Sequence, residues 1–98
     1  LLSERFDADR AYELGLVNRV VQDDAIAKEV MGLAEQLAKG PTQAYAKTKM
    51  LIDQSFENDL ATQLEAERAN FVSSTATKDF QEGVDAFVNK RRPVFRGE

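Results

Sequence analysis

The stretch that decides the fold is Asp23-Asp24-Ala25-Ile26-Ala27-Lys28-Glu29-Val30-Met31-Gly32-Leu33-Ala34-Glu35-Gln36-Leu37-Ala38-Lys39-Gly40-Pro41. Ile26, Val30, Leu33 and Leu37 recur three or four positions apart, which places them on one stripe of an α-helix. Asp23 and Asp24 open that helix, with Asp24 as the expected cap. Gly40-Pro41 closes it, because proline has no N–H to donate and crowds the turn before it.

The same pattern extends in both directions. Upstream, Asp7 caps a short helix over Ala8 to Leu14, and Gly15 suits the left-handed turn past its end. The following residues, Leu16 to Val21, are β-prone and predict a short extended segment. Such a segment must pair with something outside these residues or stay an irregular connector, since its backbone groups need partners. Downstream, Thr42 is the expected cap of a helix carrying Tyr45, Thr48, Ile52 and Phe56. Asn58 or Asp59 starts another, with Leu60, Leu64, Phe71 and Val72. Arg68 interrupts that stripe, and either lays its stem on apolar surface or pairs with Glu65 one turn earlier. Ser73-Ser74-Thr75 ends it. Thr77 caps a last helix, where Asp79 suits the dipole and Phe80, Val84, Phe87 and Val88 form the apolar face. Pro93 closes the regular structure. The fold class predicted is therefore all-α, short helices joined by tight turns. The apolar stripes need a shared core, among themselves or on another body.

Composition narrows the chemistry. A chain of 98 residues is one domain at most, and at this length only about 60–65% of the unfolded surface is buried. Its 43% hydrophobic content is adequate for a globular core. With no cysteine and no histidine, disulfides, thiolate metal sites and the commonest neutral-pH base are excluded. No run of roughly 18 apolar residues exists to span a membrane, and a cytoplasmic location is the expectation. The net charge of −4 argues against general nucleic-acid binding, although Lys90, Arg91, Arg92 and Arg96 crowd the end. The opening on Leu1-Leu2 leads us to expect a larger parent chain.

No constellation in these residues carries catalysis by itself. The glycines are too scattered for a phosphate-cradling loop. Asp23-Asp24 reads as helix capping before it reads as a metal pair. Glu65 and Glu67, two apart on a helix, point in different directions and cannot share a substrate. Asp79, Glu82 and Asp85 read as the polar side of the last helix. One arrangement rises above this background. Phe87 and Lys90 are three apart and expected on one helical face, with Arg91 and Arg92 following. A ring beside cations suits a flat base bearing phosphate. The plainer alternative, favoured by the Phe80/Val84 stripe, is a core phenylalanine followed by a solvated basic end.

Several stretches resemble the enoyl-CoA hydratase/isomerase (crotonase) family. Phe6-Asp7-Ala8, Ala11, Leu14-Gly15-Leu16-Val17-Asn18 and Val20-Val21 are similar to its F-x-A-x-x-A-x-x-x-G-L-V-N-x-V-V stretch. Leu37-Ala38-Lys39-Gly40-Pro41, Ala44 and Lys49 resemble its next helix pair. Asp79, Glu82-Gly83-Val84, Ala86-Phe87, Lys90-Arg91 and Pro93-Val94-Phe95 are similar to its D-x-x-E-G-x-x-A-F-x-x-K-R-x-P-x-F ending. The three pieces occur in the family's order and cover essentially the whole chain. Ser55-Phe56-Glu57-Asn58-Asp59-Leu60 looks most like the epoxyphenylacetyl-CoA isomerases of phenylacetate breakdown.

The resemblance implies the C-terminal helical domain of a crotonase fold, whose ββα-spiral body holds the oxyanion hole and catalytic carboxylates. On this basis residues 1–22 would pack on that body, 23–92 would form a helical bundle and 93–98 a tail. Catalytic residues are expected to be absent here. Phe87 and Lys90 are the positions matching the family's contact with the adenine and phosphate end of coenzyme A, the carrier of the acyl substrate. The implied partners are the protein's own N-terminal body and neighbouring subunits, in a trimer or hexamer. The rival expectation is a stand-alone helical interaction module.

Overall fold

The computed structural model describes residues 4–98. Leu1, Leu2 and Ser3, the start of the segment expected to meet a larger body, lie outside the described residues. Five α-helices and no strand occur among the described residues: α1 (Ala8–Glu13), α2 (Ile26–Ala38), α3 (Thr42–Ser55), α4 (Leu60–Thr75) and α5 (Lys78–Val88). The chain divides into two compact units, one running to Gly32 and one from Leu33 to Glu98.

In the first unit, the Asp7 carboxylate accepts the Arg10 N–H at 2.9 Å and starts α1 as expected. The helix ends in a Schellman turn. Leu16 N–H donates to Ala11 and Gly15 N–H to Tyr12, with Gly15 at φ +70. Leu16 to Val21 then form an irregular connector, the second of the two outcomes open to them. Arg19 pairs with Glu29 at 3.0 Å, and Leu16, Val17 and Val20 remain exposed. The start of α2 differs from the expectation of an Asp24 cap. Asp23–Ala25 form one turn of 3-10 helix behind Gln22, whose side chain makes no capping bond. Both aspartates instead lie in the first turn, where the positive end of the backbone dipoles favours negative charge.

In the second unit, Gly40 is buried and Tyr45 lies so close that a Cβ there would overlap its ring and hydroxyl. That approach, beyond any role in stopping α2, requires glycine. Thr42 does not cap α3. Pro41 occupies the cap position, Thr42 is the first helical residue, and its hydroxyl stands where a Cβ on Gly97 would go. Proline at a helix start loses nothing by lacking an N–H that has no intrahelical acceptor.

α3 packs on α4, and α4 on α5. Asp59, not Asn58, caps α4 by accepting Thr62 N–H at 2.8 Å. Asn58 donates instead to Gln63, which reaches back to the Leu51 carbonyl. Arg68 pairs with Glu65 through two bonds of 2.8 and 2.6 Å. At the other end of α4 the Lys47 ammonium donates to Ser73 and Ser74, a position where the helix dipole favours a cation. Phe71 meets Phe80 edge-on with ring centroids 6.2 Å apart.

The apolar stripes do not bury one another. Among the described residues Ala86 is the one buried hydrophobic side chain, while Ile26, Val30, Leu33, Leu37, Leu64 and Val72 are exposed. Phe56 and Leu60 stand 84% and 75% exposed at the junction of α3 and α4.

Candidate functional site

The site is built on α5 and the segment that follows it. Thr77 accepts Phe80 N–H through its hydroxyl at 3.1 Å, which starts the helix as expected. Ala86 faces inward and is 1% exposed, and the next residue, Phe87, is turned outward and 85% exposed. Within these residues Phe87 is therefore not buried, although it lines a cavity with Phe80 and Val84 of the same stripe. Phe80 is half-buried on the inner side, and the regularity of the stripe concealed that α5 buries only part of it.

Lys90 is not on the helix. α5 ends at Val88, with Asn89 as its C-cap. Lys90 N–H donates to Phe87, Arg91 N–H donates to Ala86, and Lys90 takes φ +52. This is a second Schellman turn, with lysine at the left-handed position. The expectation that Phe87 and Lys90 share a helical face therefore fails. What couples them is the turn itself, since the Phe87 carbonyl accepts the Lys90 N–H. Regular structure accordingly stops before Pro93.

Beyond the turn, the chain folds back along α5 on two carboxylates. Glu82 binds Arg91 through both oxygens at 2.6 and 2.7 Å and also accepts Val94 N–H at 2.7 Å. Asp85 adds a bond to the same guanidinium at 2.5 Å. Asp79, only 6% exposed, accepts Arg96 N–H and Gly97 N–H, each at 2.8 Å. Its own N–H donates to Glu98, and Gln43 donates to the Gly97 carbonyl. Asp79 and Glu82 are therefore not merely the solvated side of α5, as their spacing suggested. They hold residues 9 to 18 positions away, and no local signal in the sequence announces such pairs.

The electrostatics follow from this clamp. The Arg91 guanidinium, and then the Val94 N–H, hold the Glu82 carboxyl down to about 2. Glu82 and then Asp85 push Arg91 further up. Both terminal nitrogens of Arg91 are thus engaged. Lys90, Arg92 and Arg96 have no carboxylate partner among the described residues, and so remain available to an anion.

Phe87 also lines a largely apolar cavity of about 380 Å³, with Pro41, Ala44, Phe80, Val84 and Phe95 among its walls. An exposed ring in its lining can stack on a flat group, and a cation on the turn that follows the helix can meet an attached anion.

The other candidate clusters stay apart. Glu65 is engaged by Arg68, which lowers its carboxyl below the usual range, while Glu67 accepts from Gln63. No group of three potential ligands for a metal occurs among the described residues. No helix of the described residues is long and apolar enough to cross a membrane.

Known proteins resemble this chain over nearly its whole length. The model of the enoyl-CoA hydratase/isomerase family matches residues 1–98. The 1,2-epoxyphenylacetyl-CoA isomerase of Escherichia coli K12 is 37% identical over 98 residues, 100% of this chain and 37% of that protein. The 2,3-dehydroadipyl-CoA hydratase of the same organism is 35% identical, over 99% of this chain and 38% of its own length. A crystal structure of an enoyl-CoA hydratase from Polaromonas sp. JS666 superposes with TM-score 0.85 at 39% identity, covering 95% of this chain and 36% of that one. The chain thus spans little more than a third of the length of these relatives.

Proposed function

The chain belongs to the enoyl-CoA hydratase/isomerase family, and from that premise we propose that it is the C-terminal assembly and CoA-contacting part of an enzyme that hydrates or isomerises acyl-CoA thioesters through an enolate. Phe87 and Lys90 grip the adenine and phosphate end of coenzyme A. The observation that carries this reading is the 85% exposed Phe87 ring, which lines an apolar cavity, followed by a turn whose Lys90 has no carboxylate partner among the described residues.

Division of labour follows from what these residues are already doing. Asp79 and Glu82, the carboxylates best fixed in space, are occupied by the tail's N–H groups and by Arg91. A general base must reach the proton it removes. The enolate also needs aimed hydrogen-bond donors. Both are supplied by the N-terminal body of the parent enzyme. The exposed stripes of α2 and α4 pack on that body and on neighbouring subunits, in a trimer or hexamer. Within the family the reading leans to the 1,2-epoxyphenylacetyl-CoA isomerases, on the strength of Ser55 to Leu60 and the 37% identical relative.

Two measurements test this. The 98-residue chain alone is expected to give no crotonyl-CoA hydration or isomerisation above background, and to self-associate in light scattering. Measurable turnover would overturn the claim that the catalytic groups lie outside these residues, and a monodisperse monomer that binds an unrelated helix would favour the interaction-module reading. In the parent enzyme, Lys90→Met is expected to raise KM for acyl-CoA about tenfold, as loss of one charge-assisted contact implies, with kcat little changed.

A further inference from the structure

The turn that carries Lys90 is held in an unfavourable shape by a device that the proposed grip on coenzyme A does not itself explain. A non-glycine residue at φ +52 places its Cβ against the following carbonyl, and it persists where surrounding structure over-determines it. Glycine is the ordinary occupant of this position, and the chain uses it at the equivalent point of α1, Gly15. At the end of α5 the restraint comes from the next residue. Arg91 is anchored to Glu82 by a two-pronged bond, to Asp85 by a third, and donates also to the Arg92 carbonyl. Glu82 lies on α5 two turns before the helix end, so its hold fixes Arg91 relative to the helix axis. The same carboxylate catches Val94 N–H at 2.7 Å, which fixes the chain's exit from the turn. Phe87 on one side and Arg91 on the other are both tied to α5, and Lys90 between them has one backbone path to follow.

We propose that Glu82 is a positioning residue for the carrier site: by clamping Arg91 and Val94 it fixes the left-handed turn at Lys90, whose N–H is held by the Phe87 carbonyl. This rests on the reading that Phe87 and Lys90 contact coenzyme A. The clamp uses Arg91 as a strut, with both terminal nitrogens of its guanidinium bound to Glu82 and one of them also to Asp85. Arg92 and Arg96, unpaired, add diffuse positive charge but no fixed geometry.

The substitution Glu82→Gln separates this role from simple electrostatics, because the two predict opposite signs. Removing a negative charge close to a phosphate-binding ammonium strengthens anion binding if only field matters. Loss of the clamp weakens it. Calorimetric titration of coenzyme A into the parent enzyme is expected to show about tenfold weaker binding for Glu82→Gln, at a temperature where far-ultraviolet dichroism shows both proteins folded. In parallel, the 13Cα shift of Lys90 is expected to lose its left-handed signature, a change that general destabilisation does not produce in a folded protein. Unchanged or tighter binding, or an unmoved Lys90 shift, overturns the inference. Lys90→Met is the companion variant. If it leaves coenzyme A affinity unmoved, the contact reading itself is wrong. If it weakens binding while Glu82→Gln does not, only the positioning role falls.

Discussion

Two helices in this chain end in the same turn with different residues at its strained point. α1 closes on Gly15 at φ +70, with no neighbour within 4 Å of where a Cβ would sit. α5 closes on Lys90 at φ +52. The segments that follow differ just as much. Between Leu16 and Val21 the backbone N–H groups after the turn find no acceptor among the described residues, and the apolar side chains lie open. From Val94 to Glu98 the backbone is caught at almost every step, by Glu82, Asp79 and Gln43. A turn made from glycine needs no support, and its exit is left to whatever packs on it. A turn made from lysine needs support, and the support is internal. The contrast is between a tail held by side chains of α5 and a connector whose apolar side chains lie exposed.

Breaking the hold on the tail at its deepest point tests that contrast most severely. Asp79→Ala removes two charge-assisted bonds from a buried carboxylate and strands two tail N–H groups. A loss of about 3 kcal/mol is expected in chemical denaturation. Amide exchange at Arg96 and Gly97 should then rise to the level of Val20, making the tail a copy of the connector. Protection that survives would show that Phe95 and Gln43 hold the tail without the carboxylate.

Exchanging the two turn residues gives a smaller and more symmetrical effect. Gly15→Ala is expected to destabilise by about 1 kcal/mol, and Lys90→Gly to stabilise by about the same amount. Denaturation midpoints for the pair check both signs at once. If Lys90→Gly gave no gain, the lysine turn would not be strained and the comparison would lose its meaning.

The smallest effect is a pH dependence confined to one end of the molecule. Glu82 has its folded pKa held at about 2 by Arg91 and the Val94 N–H. The contribution of a depressed carboxylate is complete above its ordinary value of 4.5 and fades as pH falls toward the folded value. Protection of the Val94 amide should therefore hold from neutral pH to about 4.5 and disappear between there and about 2. The Leu16 to Val21 amides should show no matching transition.

Much of this was legible in advance wherever the cause is local. Asp7, Thr77 and Gly15 behave as their positions in the sequence require, because a cap or a left-handed turn involves partners only a few residues away. Arg68 finds Glu65 for the same reason. The failures are cases where a distant group takes over. Thr42 matches a cap but stands against Gly97 instead, 55 positions on. Asp24 gives up the cap to a 3-10 turn behind Gln22. Of the proposed site, the identities of Phe87 and Lys90 were readable, but their relation was not. Periodicity continued the helix through a residue that the structure places in a left-handed turn.

The amino-acid order alone determined where helices begin and stop and which faces are apolar, since those depend on hydrogen bonds and side-chain contacts within four positions. Only the tertiary structure decided that Asp79 and Glu82 are anchors, that residues after Pro93 lie back along α5, and that Phe87 is open while Ala86 is closed. Each of these turns on groups brought together across 12 or more residues. A carboxylate's choice between water and a backbone N–H is made by proximity in space, which spacing along a chain does not encode.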